Sequence, residues 1–119
     1  MSGFRELKVW QRAKDLAIQI YKLTNSGDFS KDFGLRDQIR RAAVSVASNI
    51  AEGDERDTNK DAVRFLYMAK GSLAEVLTQI IIAKEIGYLQ ENNYISIMDE
   101  CEAVGKMLGS LIKARSIDR

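Results

Sequence analysis

The chain has 119 residues, with 18 basic and 17 acidic side chains, a formal charge of +1 and 45% hydrophobic content. That is one domain's length and too apolar for a disordered segment; a dedicated nucleic-acid binder is usually more basic, so net charge argues for no particular partner. No histidine and a single cysteine, Cys101, exclude Ser-His-Asp and Cys-His nucleophile systems, a Glu-x-x-His di-iron centre, structural zinc and an internal disulfide.

In chain order, the first helix is predicted from about 7 to 24. Val9, Leu16 and Leu23 recur every seven residues, Ala13, Ala17 and Ile20 fill the same face, and Trp10 lies near its start. Asn25, Ser26 and Gly27 end it, and 27–32 reads as a loop. Asp32 is the expected N-cap of a second helix over 33–52, whose apolar line is Leu35, Ile39, Ala42, Ala43, Val46, Ala47 and Ile50. Gly53 reads as the left-handed residue that closes it. Thr58 and Asp61 form a variant capping box for the third helix, 58–86, with Gly87 as its stop. Its core line is Ala62, Phe65/Leu66, Ala69, Leu73, Val76, Leu77, Ile80 and Ala83. The fourth helix, 91–115, carries Tyr94, Ile97/Met98, Cys101, Val104, Leu108 and Leu111 in alternating steps of three and four. Gly105 and Gly109 form a GxxxG pattern that implies close helix packing. The fold class is therefore all-α. One domain over 1–119 is expected, with short connections favouring an antiparallel up-down-up-down four-helix bundle.

The third helix is apolar on more than one side. Phe65–Ala69 reads FLYMA and Ile80–Ala83 reads IIIA. At about 100° per residue, four consecutive apolar residues cover nearly the whole circumference. Self-association through this helix, at Phe65, Tyr67, Met68, Ile81 and Ile82, and a neighbouring helix is expected, with closed cyclic symmetry. The competing reading is that loops or a tilted helix cover the second face.

No loop of the form GxxxxGK[ST] and no GxGxxG between strand and helix is present, so no cofactor is expected. Glu52 and Glu75 could form a polar pocket with a shifted carboxylate pKa. The simpler reading, which we favour, is a structural polar cluster of Asn49, Glu52, Ser72 and Glu75 that fixes helix ends and register. Cys101 falls on the core line and is read as a small apolar residue. No catalytic or metal-binding residue is assigned.

Basic residues gather on the first helix and its lead-in, with Lys8 and Arg12 foremost, and on the second helix at Arg36, Arg40 and Arg41. These five are the candidate phosphate contacts for RNA or DNA. The plainer alternative is solvated outer faces or intersubunit ion pairs, with Asp37 placed to pair with Arg41 at i, i+4. The opening residues lack the apolar run of a signal peptide. The uncharged stretches, 42–51 and 76–83, are too short to span a bilayer, so a cytoplasmic protein with no membrane contact is expected.

The segment from Leu35 to Gly53, LRDQIRRAAVSVASNIAEG, resembles the bacterial four-helix-bundle proteins first described as products of intervening sequences in 23S ribosomal RNA genes. Phe4–Trp10 (FRELKVW), Ala69–Glu75 (AKGSLAE) and Ile86–Leu89 (IGYL) fit the same family. The resemblance implies a homopentamer. It also implies similarity in fold to the accessory variability proteins of diversity-generating retroelements, basic pentameric barrels that associate with a reverse transcriptase and nucleic acid. The function expected is a non-enzymatic oligomeric scaffold or adaptor, with RNA or a nucleic-acid-processing enzyme as candidate partner. The alternative is a purely structural or protein-interaction module.

Overall fold

A computed structural model describes residues 3–117. Five helices follow a 3-10 turn at Phe4–Glu6: α1 (Lys8–Leu23), α2 (Gly27–Lys31), α3 (Phe33–Asp54), α4 (Asn59–Glu85) and α5 (Glu91–Ile117). No strand occurs among the described residues.

α1 buries Val9, Ala13, Leu16, Ala17 and Ile20, the three-and-four spacing that makes one apolar face. It ends at Thr24, where both the backbone N–H and the hydroxyl donate to the Ile20 carbonyl, at 3.1 and 2.8 Å. Thr24 is fully buried, and these bonds satisfy groups that would otherwise be unpaired.

The stretch expected as a loop contains the short helix α2. Phe29 is 2% exposed, and its ring lies 5.4 Å from that of Tyr88. Five residues are too few to display a helical period, so periodicity does not mark this element in the sequence.

Asp32 caps α3 as expected, its carboxylate accepting from the Leu35 N–H at 3.1 Å. Its other oxygen accepts from the Tyr88 hydroxyl at 3.0 Å. One side chain thus anchors a helix start and ties it to the connection after α4.

Gly53 does not terminate α3, which runs on to Asp54, and Gly53 lacks a positive φ. The reason for glycine here is space. A Cβ at this position would sit 3.1 Å from the Ala62 carbonyl oxygen, 3.2 Å from Phe65 Cβ and 3.4 Å from Leu66 Cδ2. α4 thus lies against the bare backbone of α3 at Gly53, where a side chain would not fit.

Thr58 accepts from the Asp61 N–H at 3.2 Å and starts α4. Gly87, at φ 92°, ends it. The Tyr88 N–H donates to the Ala83 carbonyl (2.8 Å) and the Gly87 N–H to that of Lys84 (3.1 Å), the paired bonds of a Schellman closure. In α5 the buried line is Ile97, Cys101, Val104, Leu108 and Ile112, while Leu111 is only partly buried. Of the two GxxxG glycines, a Cβ at Gly105 would lie 3.4 Å from Leu73 Cδ2, whereas one at Gly109 would meet nothing within 4 Å. The pattern is therefore not a two-glycine packing seam.

A single core cluster draws on all four long helices. Partners across helices run in opposite senses along the chain. Arg12 faces Glu100 and Gln19 faces Ser96. Gln38 faces Gln79, and Gly53 faces Ala62. Gly105 faces Leu73, and Lys84 faces Glu91. The described chain measures 47 × 23 × 21 Å.

Candidate assembly surfaces

α4 uses Ala62, Leu66, Ala69, Leu73, Val76, Ile80 and Ala83 for the core. Three- and four-residue steps leave a second line on its outer side. There Tyr67 is 54% exposed, Met68 48%, Ile81 39% and Ile82 45%. Between the two large pairs lie Gly71, Ala74 and Thr78, all exposed. Phe65, expected with this set, is partly buried. Its ring lies beneath the guanidinium groups of Arg56 and Arg64, at 4.3 and 5.0 Å.

An 18-residue window of α4 reaches a mean hydropathy of 1.3, yet only 28% of it is buried. By length and composition alone α4 could cross a membrane, which uninterrupted charge-free runs did not reveal. Its inner line, however, is committed to the shared core.

A second apolar surface, missed in the sequence, opens between α1 and α3. It is a groove of ≈ 550 Å³ with walls of Phe4, Trp10, Ile18, Tyr21 and Val44. Ala17, Ala47, Ser48 and Ala51 are its small residues, and Lys14 and Lys22 also line it. The exposed Ile18, Tyr21 and Val44 were the available signal. They lie on two helices and become one surface only when those helices pack.

The candidate phosphate contacts are largely engaged within the chain. Arg12 Nε donates to Glu100 at 2.7 Å, and that hydrogen bond and charge raise the guanidinium pKa. Arg36 pairs with Asp37 at 3.0 Å, donates to the Ser30 carbonyl at 3.1 Å and lies over the Phe33 ring. Asp37 thus faces Arg36, not Arg41 as expected. Arg40 donates to the Thr24 hydroxyl at 2.8 Å and stacks 4.5 Å above the Tyr21 ring. Lys8 and Arg41 are exposed.

Of the four polar residues expected to cluster, Asn49 and Glu52 have local partners. Asn49 donates back to the Ser45 carbonyl at 3.0 Å. Glu52 is exposed, with Arg56 3.9 Å away. Ser72 is 9% exposed. Glu75 is exposed and shares an open polar trough of ≈ 380 Å³ with Gln38, Arg41, Ser45 and Gln79. The structure therefore brings Glu75 to Arg41's trough, and Asn49 and Glu52 are not among the trough's residues. Exposed carboxylates lack the desolvation that usually tunes a general acid. Cys101 is fully buried, and burial pushes its thiol up to about 12. Among the described residues no group of three or more His, Cys, Asp or Glu is arranged to hold a metal ion.

Fold and surface together define a small all-α protein whose distinctive features are two uncovered apolar surfaces. The chain belongs to the 23S rRNA-intervening sequence protein family, whose model matches residues 5–110. It is also similar to the crystal structure of a protein of unknown function from the S23 ribosomal protein family of Bacteroides thetaiotaomicron VPI-5482. That similarity has a TM-score of 0.80 at 26% identity, covering 88% of this chain and 98% of that one. Comparison with curated proteins gives no match.

Proposed function

We propose that the protein is a non-enzymatic homo-oligomeric scaffold or adaptor of the cytoplasm, self-associating through the outer face of α4. Its subunit is an antiparallel up-down-up-down four-helix bundle, a reading supported by the opposed order of cross-helix partners. The observation that carries self-association is the apolar window of α4, of which 28% is buried within one chain. Leaving such a surface in water forgoes about 25 cal/mol per Å² of apolar area, and a second copy of the chain is always available to cover it. The resemblance adds the expectation of five subunits.

The adaptor role then falls to surfaces outside the assembly contact. Arg12, Arg36 and Arg40 direct their donors to partners in the same chain. That favours a protein partner over nucleic acid, and any phosphate contact would rest on Lys8 and Arg41. The non-enzymatic reading is supported by exposed Glu52 and Glu75 and by a buried, high-pKa Cys101. Sedimentation velocity of the wild type and of Tyr67→Lys/Ile82→Lys tests the proposal. We expect a discrete oligomer that the double substitution dissociates. A wild type that stays monomeric at micromolar concentration would overturn it.

A further inference from the structure

The two uncovered apolar surfaces differ in shape. The α1/α3 surface is a groove with small residues among large walls. The α4 surface is a ridge along one helix, and α4 contributes nothing to the groove. A contact between two ridges would leave the groove in water, and a contact between two grooves would leave the ridge. Only a contact of unlike surfaces, groove to ridge, covers both with one repeated interface.

Dimensions and charge narrow the fit. Trp10 to Tyr21 along α1 spans about 16 Å at 1.5 Å per residue. Glu75 to Glu85 along α4 spans about 15 Å by the same rise. Both glutamates are exposed, and between them lie Thr78, Ile81 and Ile82. The groove carries the opposite charge: Lys14 and Lys22 line it, about 12 Å apart along α1. Lys14 pairs with an exposed carboxylate of its own helix, Asp15 at 3.0 Å, a type of pair that contributes little. An apolar ridge with an acid toward each end thus matches an apolar groove with a base toward each end.

We infer that the carboxyl-terminal half of α4, led by Ile81 and Ile82 and flanked by Glu75 and Glu85, seats in the α1/α3 groove of a second copy of this chain. The contact is head-to-tail, so each subunit gives a ridge and receives one, and the series closes as a ring or runs on as a filament. This rests on the proposal that the protein self-associates, and it assigns which surfaces meet.

The test uses full-length protein in two parts. First, Ser48→Cys in the groove and Thr78→Cys on the ridge are treated with a short bismaleimide. Both positions are exposed, and the native thiol of Cys101 is buried, so background reaction is low. A mixture of the two single variants should give covalent dimers, the double variant should give a ladder, and neither single variant alone should cross-link. Second, Lys14→Glu/Lys22→Glu and Glu75→Lys/Glu85→Lys should each raise the dissociation constant about tenfold or more at low salt, equivalent to about 1.4 kcal/mol. Combining all four changes should restore assembly to within about threefold. Covalent dimers from Thr78→Cys alone would mean ridge meets ridge about a twofold axis, overturning the inference. So would an oligomer that neither cross-links in the mixture nor responds to the charge swap, although self-association itself would stand. A wild-type protein that sediments as a monomer removes both.

Discussion

Replacing Gly53 with alanine is a sharp test of the helix packing, because elementary expectation has the opposite sign. Gly53 lies inside α3 without a positive φ. In an open helix interior, alanine for glycine stabilises by about 1 kcal/mol. Here the new methyl would meet Ala62 O at 3.1 Å, Phe65 Cβ at 3.2 Å and Leu66 Cδ2 at 3.4 Å. The nearest atom is a backbone oxygen, so α4 itself must shift. Overpacking of this kind costs about 1–3 kcal/mol, which outweighs the helix gain and leaves a net loss of about 1 kcal/mol. Gly109 is the internal control: it is helical and exposed, and a Cβ there would meet nothing within 4 Å. Gly109→Ala should gain up to about 1 kcal/mol. Urea denaturation at matched protein concentration, followed by far-ultraviolet circular dichroism, measures both. For a domain of this size the Gly53→Ala loss corresponds to about 4 °C in melting temperature. If Gly53→Ala proved as stable as the wild type or more so, the close α3–α4 approach would be refuted.

Asp32→Ala removes both the α3 cap and the Tyr88 contact and should destabilise by about 1–2 kcal/mol in thermal or urea melts. Tyr88's pKa is raised, first by its hydrogen bond to Asp32 and then by burial. This contribution to stability is complete below the unfolded tyrosine pKa and is lost as pH rises through the higher folded value. In a phenolate absorbance titration, Asp32→Asn should shift the Tyr88 transition downward. Cys101, with its thiol pushed up to about 12, should resist a thiol reagent at neutral pH in the native protein and react on unfolding; rapid native labelling would contradict its burial. Arg40→Ala should cost about 1–2 kcal/mol through the lost bond to buried Thr24 and the stack on Tyr21. Arg41→Ala, at an exposed position, should stay within about 0.5 kcal/mol of wild type.

Caps and stops that act within a few residues were legible in the sequence. Asp32, Thr58 and Gly87 behave as their local chemistry dictates. Periodicity likewise identified the buried lines of the four long helices. What eluded the sequence were features made by helices meeting. Gly53 looks like a terminator until α4 lies against it. The groove exists only when α1 and α3 sit side by side. The arginines look free until Glu100, Thr24 and Ser30 approach from elsewhere in the chain. The polar residues make a related point: sharing a helix face with a core does not bury a side chain, and Glu52 and Glu75 are exposed. The outer residues of α4 were recognised because four successive apolar residues cannot share one inward face.

On the proposed function, the uncovered apolar surface of α4 is a contact between copies of this chain. Sedimentation equilibrium of the wild type over the micromolar range tests it most directly. A single discrete oligomer is expected, reduced to monomers by Tyr67→Lys/Ile82→Lys while helical content is retained. A wild-type protein that remains monomeric throughout that range, with its α4 face open to water, would contradict it.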